Sequence, residues 1–296
     1  MEDRIITYGG QAVIEGVLMR GQKALAIAMR DPDGEIVVHE ERLANVYRSR
    51  ITKIPFLRGV ILLWDALGLG MRALTISANT QTGEDEELEG WALYLTIAVS
   101  LTIGVGLFFL LPAALGGWVE RLTASSGAHV WIGNLLEGVV RLLLLIGYIW
   151  AIGFMPDIKR LFAYHGAEHK TINAFEAGAE LTPESVAKFP LEHPRCGTAF
   201  MLTLVLVSIL VFTAFGPLPI VWRLVSRVLL IPVLAGIAVE YIRWTANHLD
   251  SKFVQWIIKP NLAMQSLTTR EPDLSMLEVA IQSFQTMRRA EEEIVV

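Results

Sequence analysis

The sequence predicts an α+β membrane protein: a four-helix transmembrane bundle, an interfacial or re-entrant helix leading into it, and a small cytoplasmic β-containing domain. Three observations predict this. Four apolar runs are long enough to cross roughly 30 Å of hydrocarbon. Basic residues collect on alternate connections between those runs. Residues 1–53 carry turn residues between short stretches of two-residue alternation. The chain of 296 residues is 53% hydrophobic, above the usual share for a soluble domain. Its net charge of −5 offers no basic surface for nucleic acid. One cysteine excludes an intrachain disulfide and suits a reducing compartment. The first thirty residues lack the basic-then-apolar pattern of a secretion signal, so none is expected.

Within residues 1–53, the stretch 24–29 alternates Leu25, Ile27 and Met29 with alanines, Asp31-Pro32-Asp33-Gly34 is turn chemistry, and 35–43 is extended again. This predicts a hairpin. The preceding 8–21 stretch holds four glycines and reads as a loop with tight turns or close backbone approach, with Gln11 and Glu15 able to face a site. Residues 54–90 form an amphipathic helix followed by an acidic linker. Arg58, Asp65 and Arg72 recur every seven residues among apolar neighbours, so a helix would carry them as one polar stripe against protein and leave its flanks to lipid.

The first transmembrane hairpin is 91–155, with spans 91–118 and 131–155. Glu137 and Arg141 lie one turn apart in the second span and are expected to pair. The second hairpin, 198–242, has spans 198–215 and 221–242, with Pro232 as the expected kink. Lys and Arg number ten before the first span, five between the second and third, and six after the fourth, which puts both termini and the 156–197 connection in the cytoplasm. The tail, 243–296, should end in a helix capped by Asp273, with Leu274, Leu277, Ile281 and Phe284 on an apolar side that packs on the N-terminal hairpin.

The chemistry gathers in 156–197, around Tyr164-His165-Gly166-Ala167-Glu168-His169-Lys170. On a helix His165 and His169 share one face and Glu168 lies about 60° to the side of His165. His-x-x-Glu-His is the inverted form of the zinc-peptidase motif: two imidazoles for a metal and a carboxylate for a water. His193-Pro194-Arg195-Cys196 follows 24 residues beyond His169. The expected cofactor is a divalent metal, zinc before others, since imidazole, thiolate and carboxylate suit it. The metal-ligand candidates are His165, His169, His193, Cys196 and Glu240, the last standing 71 residues past His169. Glu240 competes with a plain salt bridge to Arg243 or Arg223. Glu176, and then His248 and Asp250, rank below these. Glu168 is the candidate catalytic base.

Four segments, Tyr8-Gly9-Gly10-Gln11-Ala12-Val13-Ile14-Glu15-Gly16-Val17-Leu18-Met19-Arg20-Gly21, Tyr164–Lys170, His193-Pro194-Arg195-Cys196-Gly197-Thr198 and Leu267-Thr268-Thr269-Arg270-Glu271-Pro272, together resemble the bacterial YqhQ-like family, a domain of unknown function (DUF1385). The resemblance runs over essentially the whole chain. It implies a metal-dependent enzyme of the bacterial membrane with no assigned substrate. It also implies that Gln11, Glu15, His165, Glu168, His169, His193, Cys196, Thr268 and Glu271 belong to shared motifs, without giving their roles. Gln11, Glu15, Thr268 and Glu271 are therefore expected around one pocket with the histidines, at the cytoplasmic membrane face, with the Arg58–Arg72 stripe turned toward it.

Two functions compete. One is a membrane-embedded metal hydrolase with Glu168 as general base. The other is a non-enzymatic scaffold or assembly factor whose His/Cys cluster holds a structural metal, with Glu168 orienting a histidine. A transporter is disfavoured by the few intramembrane charges. The expected partners are the lipid bilayer and an unidentified substrate, with a homo-oligomer left open. Reporter fusions at Ser126 and Glu184 should report opposite sides of the bacterial cytoplasmic membrane; the same side for both would overturn the arrangement.

Overall fold

A computed structural model of the chain describes residues 8–43, 54–82, 90–122, 129–214 and 218–294. The acidic run 83–89 and most of the connection between the first two spans lie outside the described residues. The protein is α+β, and its described residues are mostly helical, with one four-stranded antiparallel sheet in the order β1-β2-β3-β4.

β3 (Ala24–Arg30) and β4 (Ile36–Arg42) form the expected hairpin, with Arg30 opposite Ile36. Its turn is closed by Asp31, whose Oδ1 accepts from the Asp33 and Glu35 amides (3.0 and 2.9 Å), and by Gly34 at φ +91°. The glycine-rich stretch is not a loop. It is a second hairpin of β1 (Gly9–Val13) and β2 (Gly16–Arg20), joined by Ile14 and Glu15, with Glu15 in the left-handed region at φ +53°. Gly16 is needed there for packing, because a Cβ would meet the Met29 Cβ at 2.7 Å. Glycines placed for close contact thus hid the strand alternation.

The sheet buries both faces. Val17, Met19, Ala26 and Ala28 face α5 (Pro156–Glu176) and α12 (Leu274–Glu293). Val13, Leu18, Leu25, Ile27 and Met29 face α1 (Leu57–Thr82) through Ala73. α12 is the expected tail helix. Asp273 caps it by accepting from the Met276 amide (2.9 Å), and the buried Ser283 hydroxyl lies 3.0 Å from the carbonyls of both Val17 and Ala26.

α1 joins the sheet to the apolar helices. Its C-terminal half lies on the sheet, while a Cβ on Gly59 would strike the Gly236 Cα (2.6 Å) and one on Gly236 the Phe56 carbonyl (2.8 Å). Leu57, Val60, Trp64, Leu67 and Met71 form an exposed apolar stripe on its outer side. The polar stripe does not turn toward the histidines. Arg58 binds Glu240 through Nε (2.6 Å) and Nη2 (2.5 Å), and Arg72 binds Glu41 of β4 (2.7 Å); the Asp65 side chain lies outside the described residues.

Among the described residues three helical stretches are long and apolar enough to cross a membrane, or four if a bent pair counts as one. The first is α2 (Gly90–Val105), a π-helical turn Gly106–Leu110 and α3 (Leu111–Leu122). The others are α4 (His129–Ile152), α7 (Gly197–Ala214), and α8 (Ile220–Leu229) with α9 (Ile231–Ala246), bent by 44° two residues before Pro232. α4 packs on α3 and α7, and α7 on α9. Three short helices flank α7–α9 in the chain between α5 and α12: α6 (Pro183–Val186) before them, and α10 (Lys252–Ile257) with α11 (Lys259–Thr268) after them.

Glu137 pairs with Arg141 as expected (2.8 Å), and a second arginine joins it: Arg227 donates from Nε and Nη2 to the two Glu137 oxygens (2.8 and 2.7 Å). Arg141 also donates to the Phe108 carbonyl in the π turn and to Ser208 (2.8 and 2.9 Å), and Phe212 lies beneath the Arg227 guanidinium at 4.1 Å. Removing one member of a buried ion pair typically costs about 3–5 kcal/mol. Glu137→Gln should therefore lower the unfolding temperature in mild detergent markedly, whereas Glu41→Gln, at an exposed pair worth about 0–1 kcal/mol, should barely move it.

The Ile14–Glu15 turn is tied to α5: Arg160 donates to both Glu15 oxygens (2.6 and 2.5 Å) and the Tyr164 hydroxyl lies at 3.3 Å. The Arg160 hydrogen bonds hold the Glu15 carboxyl below its ordinary 4.5. A depressed folded-state value means this contribution is complete above about 4.5 and is lost as the pH falls through the folded value. Both side chains are partly exposed, so the effect is at most about 1 kcal/mol. Thermal unfolding should show Glu15→Gln less stable than wild type at pH 7, with the difference shrinking as the pH is lowered below 4.5.

Candidate metal centre

α5 begins at Pro156, whose fixed φ suits the first helical position, and carries the His-x-x-Glu-His residues into the interior. His169 and Glu168 are buried and His165 is half-buried. The segment 187–192 is held against α5 by side chains reaching its carbonyls. Lys170 Nζ donates to Ala187 and Phe189 (2.7 and 2.8 Å), and Asn173 Nδ2 to Pro190 and Glu192 (2.9 and 3.1 Å).

Two more carbonyls act on the histidines. His165 Nδ1 lies 2.8 Å from the Thr268 carbonyl, and His169 Nδ1 lies 2.5 Å from the Leu191 carbonyl. A carbonyl only accepts, so each Nδ1 carries a proton, and in the neutral ring each Nε2 then presents a lone pair. His165 Nε2 is 3.2 Å from Cys196 Sγ. His169 Nε2 is buried and has no hydrogen-bond partner. One ligand atom from each of His165, His169 and Cys196 lies within 4.8 Å of the others. Cys196 precedes α7, and its sulfur accepts from the Thr198 amide at 3.4 Å.

Glu168 stands beside this group. One carboxylate oxygen, Oε2, is buried without a partner, and the Gly10 amide of β1 bonds the carboxyl. Burial pushes its pKa up from 4.5 to about 7, and His165 and the Gly10 amide offset part of that rise. Glu168 Oε2 and His169 Nε2, on neighbouring residues of α5, are two buried acceptors without a partner among the described residues, and such atoms are what a protein–ligand or protein–metal contact would satisfy. The donor set of two imidazoles and one sulfur fits zinc.

The other candidates are placed as follows. His193 is buried, its ring 5.7 Å from that of His169, but its Nε2 faces Glu176 (3.8 Å) and Arg195 (3.4 Å). Burial pushes its pKa down, with Glu176 opposing. Burial would raise the Glu176 carboxyl, but hydrogen bonds to His193 and Arg195 bring it below 4.5. Glu240 is corrected outright: Arg58 and the Phe56 amide (3.1 Å) hold it on the α1–α9 seam, and Arg223 pairs with Glu120 instead. Gln11 is also apart, because strand alternation turns it to the α1 face, where its amide lies against Gly70. Thr268 acts through its carbonyl on His165. Glu271 binds Lys170 (2.7 Å) and Glu15 binds Arg160. The three distant segments therefore meet on α5, but on different sides of it.

Sequence reasoning missed Gln265, which is fully buried and clamps His193 by accepting from its amide (2.9 Å) and donating to its carbonyl (2.8 Å). It also missed Leu191, which contributes only backbone. An uncharged amide inside a helix gives no signal of its own; its place three residues before Thr268 was the available hint.

The profile of the family described as "Protein of unknown function (DUF1385)" matches residues 54–290. The chain is similar to "Uncharacterized protein YqhQ" of Bacillus subtilis (strain 168), with 36% identity over 299 residues covering 96% of this chain and 93% of that protein. No solved structure matches. The histidine, cysteine and Thr268–Glu271 segments that meet on α5 all lie inside the matched region, and the chain belongs to the DUF1385 family of YqhQ-like proteins.

Proposed function

We propose that the protein is a metal-dependent hydrolase of the bacterial cytoplasmic membrane. In this reading His165, His169 and Cys196 hold one divalent ion, zinc by donor set, and Glu168 is the base. The four apolar spans form one bundle with both termini and the site on the cytoplasmic side, as the basic connections favour. The observation that carries the reading is the convergence of two carbonyl-fixed imidazoles and one sulfur beside a buried carboxylate with a free oxygen.

A bound divalent ion supplies Lewis acidity at that point. The chain's own residues do the rest. Thr268 and Leu191 fix the tautomer of each histidine, as outer carbonyls commonly do for metal ligands. Gly10 aims the Glu168 carboxyl through its amide. Glu168 takes a proton from the attacking water and returns it to the leaving group. A closed structural site would need a fourth protein ligand. His193 is the nearest histidine, and it is engaged by Glu176 and Arg195, which favours three protein ligands and an open position over the scaffold reading.

Elemental analysis of protein purified in detergent should give one zinc per chain. His165→Ala and His169→Ala should lose it, while Glu168→Gln and Glu240→Gln keep it. Zinc should also shield Cys196 from alkylation by iodoacetamide. Zinc-free wild type, or full zinc in His169→Ala, would sink the reading.

A further inference from the structure

We propose that the outer edge of β1 receives an extended polypeptide as an added strand and delivers it to Glu168, which makes the substrate class of the site a polypeptide. For cleavage, this rests on the hydrolase reading above; for binding, it does not.

β1 and β4 are the two edges of the sheet, and they differ in chemistry. β4 carries Glu40, Glu41 and Arg42, the charges by which edge strands usually resist pairing. β1, Gly-Gly-Gln-Ala-Val, carries none. Its Gly10 amide points away from β2, since it bonds Glu168, and the two-residue period of a strand then turns both backbone groups of Ala12 outward as well. Among the described residues nothing pairs with the outward Gly10 carbonyl or with the Ala12 amide and carbonyl. Strand addition to such an edge is a general mode of peptide recognition.

Gly9 supplies a second observation. Gly10 and Gly16 are explained by packing, because a Cβ at either would strike neighbouring atoms. Gly9 leaves that end of the edge open: it is exposed, and among the described residues a Cβ there meets nothing within 4 Å. A polypeptide paired with Ala12 and with the Gly10 carbonyl ends at Glu168, which holds the Gly10 amide and keeps Oε2 without a partner among the described residues. The reaction would then be amide hydrolysis. The water oxygen bonds the carbonyl carbon, the C–N bond breaks, and the proton taken by Glu168 passes to the leaving amine nitrogen.

The test uses the full chain in lipid nanodiscs as Glu168→Gln, which binds without cutting, and fluorescein-labelled casein as an unfolded polypeptide. Casein should bind by anisotropy and slow amide hydrogen exchange within residues 9–13. Adding Gly9→Lys, which puts at an open position the charge by which edge strands resist pairing, should weaken binding by at least about tenfold, or 1.4 kcal/mol, with zinc content unchanged. Absent binding, or binding that neither slows exchange in 9–13 nor responds to Gly9→Lys, would overturn the proposal. Zinc content, read separately, decides the metal site: a zinc-free protein that still binds casein at the edge refutes that site and leaves the strand edge standing.

Discussion

Two backbone carbonyls decide what the centre of this protein can do. Those of Leu191 and Thr268 take the Nδ1 protons of His169 and His165, and so commit both Nε2 lone pairs to one point. Neither carbonyl would be in place without other parts of the chain. Leu191 belongs to a segment strapped to α5 by Lys170 and Asn173. Thr268 ends α11, on which Gln265 also clamps the His193 backbone. The site is thus assembled from α5, the segment after α6, the start of α7 and the end of α11, and its chemistry depends on the fold of all four.

The apolar helices are joined by a different kind of contact. Glu137 binds Arg141 and Arg227, and Arg141 reaches the first span through the Phe108 carbonyl and α7 through Ser208. A buried charge without partners is costly, so each helix of this group is held by the penalty its neighbours would suffer on separation. α1 is joined to α9 by the Gly59–Gly236 approach and the Arg58–Glu240 pair, and lays its other end on the sheet. The sheet and the apolar helices are in this way linked through one helix.

Much of this was legible in the sequence where a local signal was strong. The Asp31–Gly34 hairpin, the Asp273 cap, the Glu137–Arg141 pair and the bend by Pro232 each follow from residues within a turn or two of each other. The β1–β2 hairpin was hidden because its glycines answer to tight packing at Gly16 and Gly10, so they read as loop. Arg227 and Arg58 were unreadable as partners because ion pairs between distant helices leave no trace in spacing. The His165–His169–Cys196 grouping was anticipated from residue chemistry, but the carbonyls that orient it carry no side-chain signal. Nor could spacing separate Cys196 from His193, only three residues away, whose ring the Glu176–Arg195 pair draws aside.

The π turn at Gly106–Leu110 works as a phase shifter in the first span. A π turn accommodates one residue more than the α-helical path, which offsets everything beyond it by about 100° around the axis. Gly116 owes to that offset its position against Gly133, where the α3 and α4 backbones come too close for any side chain. The Phe108 carbonyl is free for Arg141 because its α-helical donor would be the amide that Pro112 lacks, and the π turn beside it dials α3 into contact with α4. In a chain with one residue deleted between 106 and 110 the span would remain as apolar as before, yet a bulkier face would meet α4. Length at this place is a matter of rotation, and hydropathy alone would not register the change.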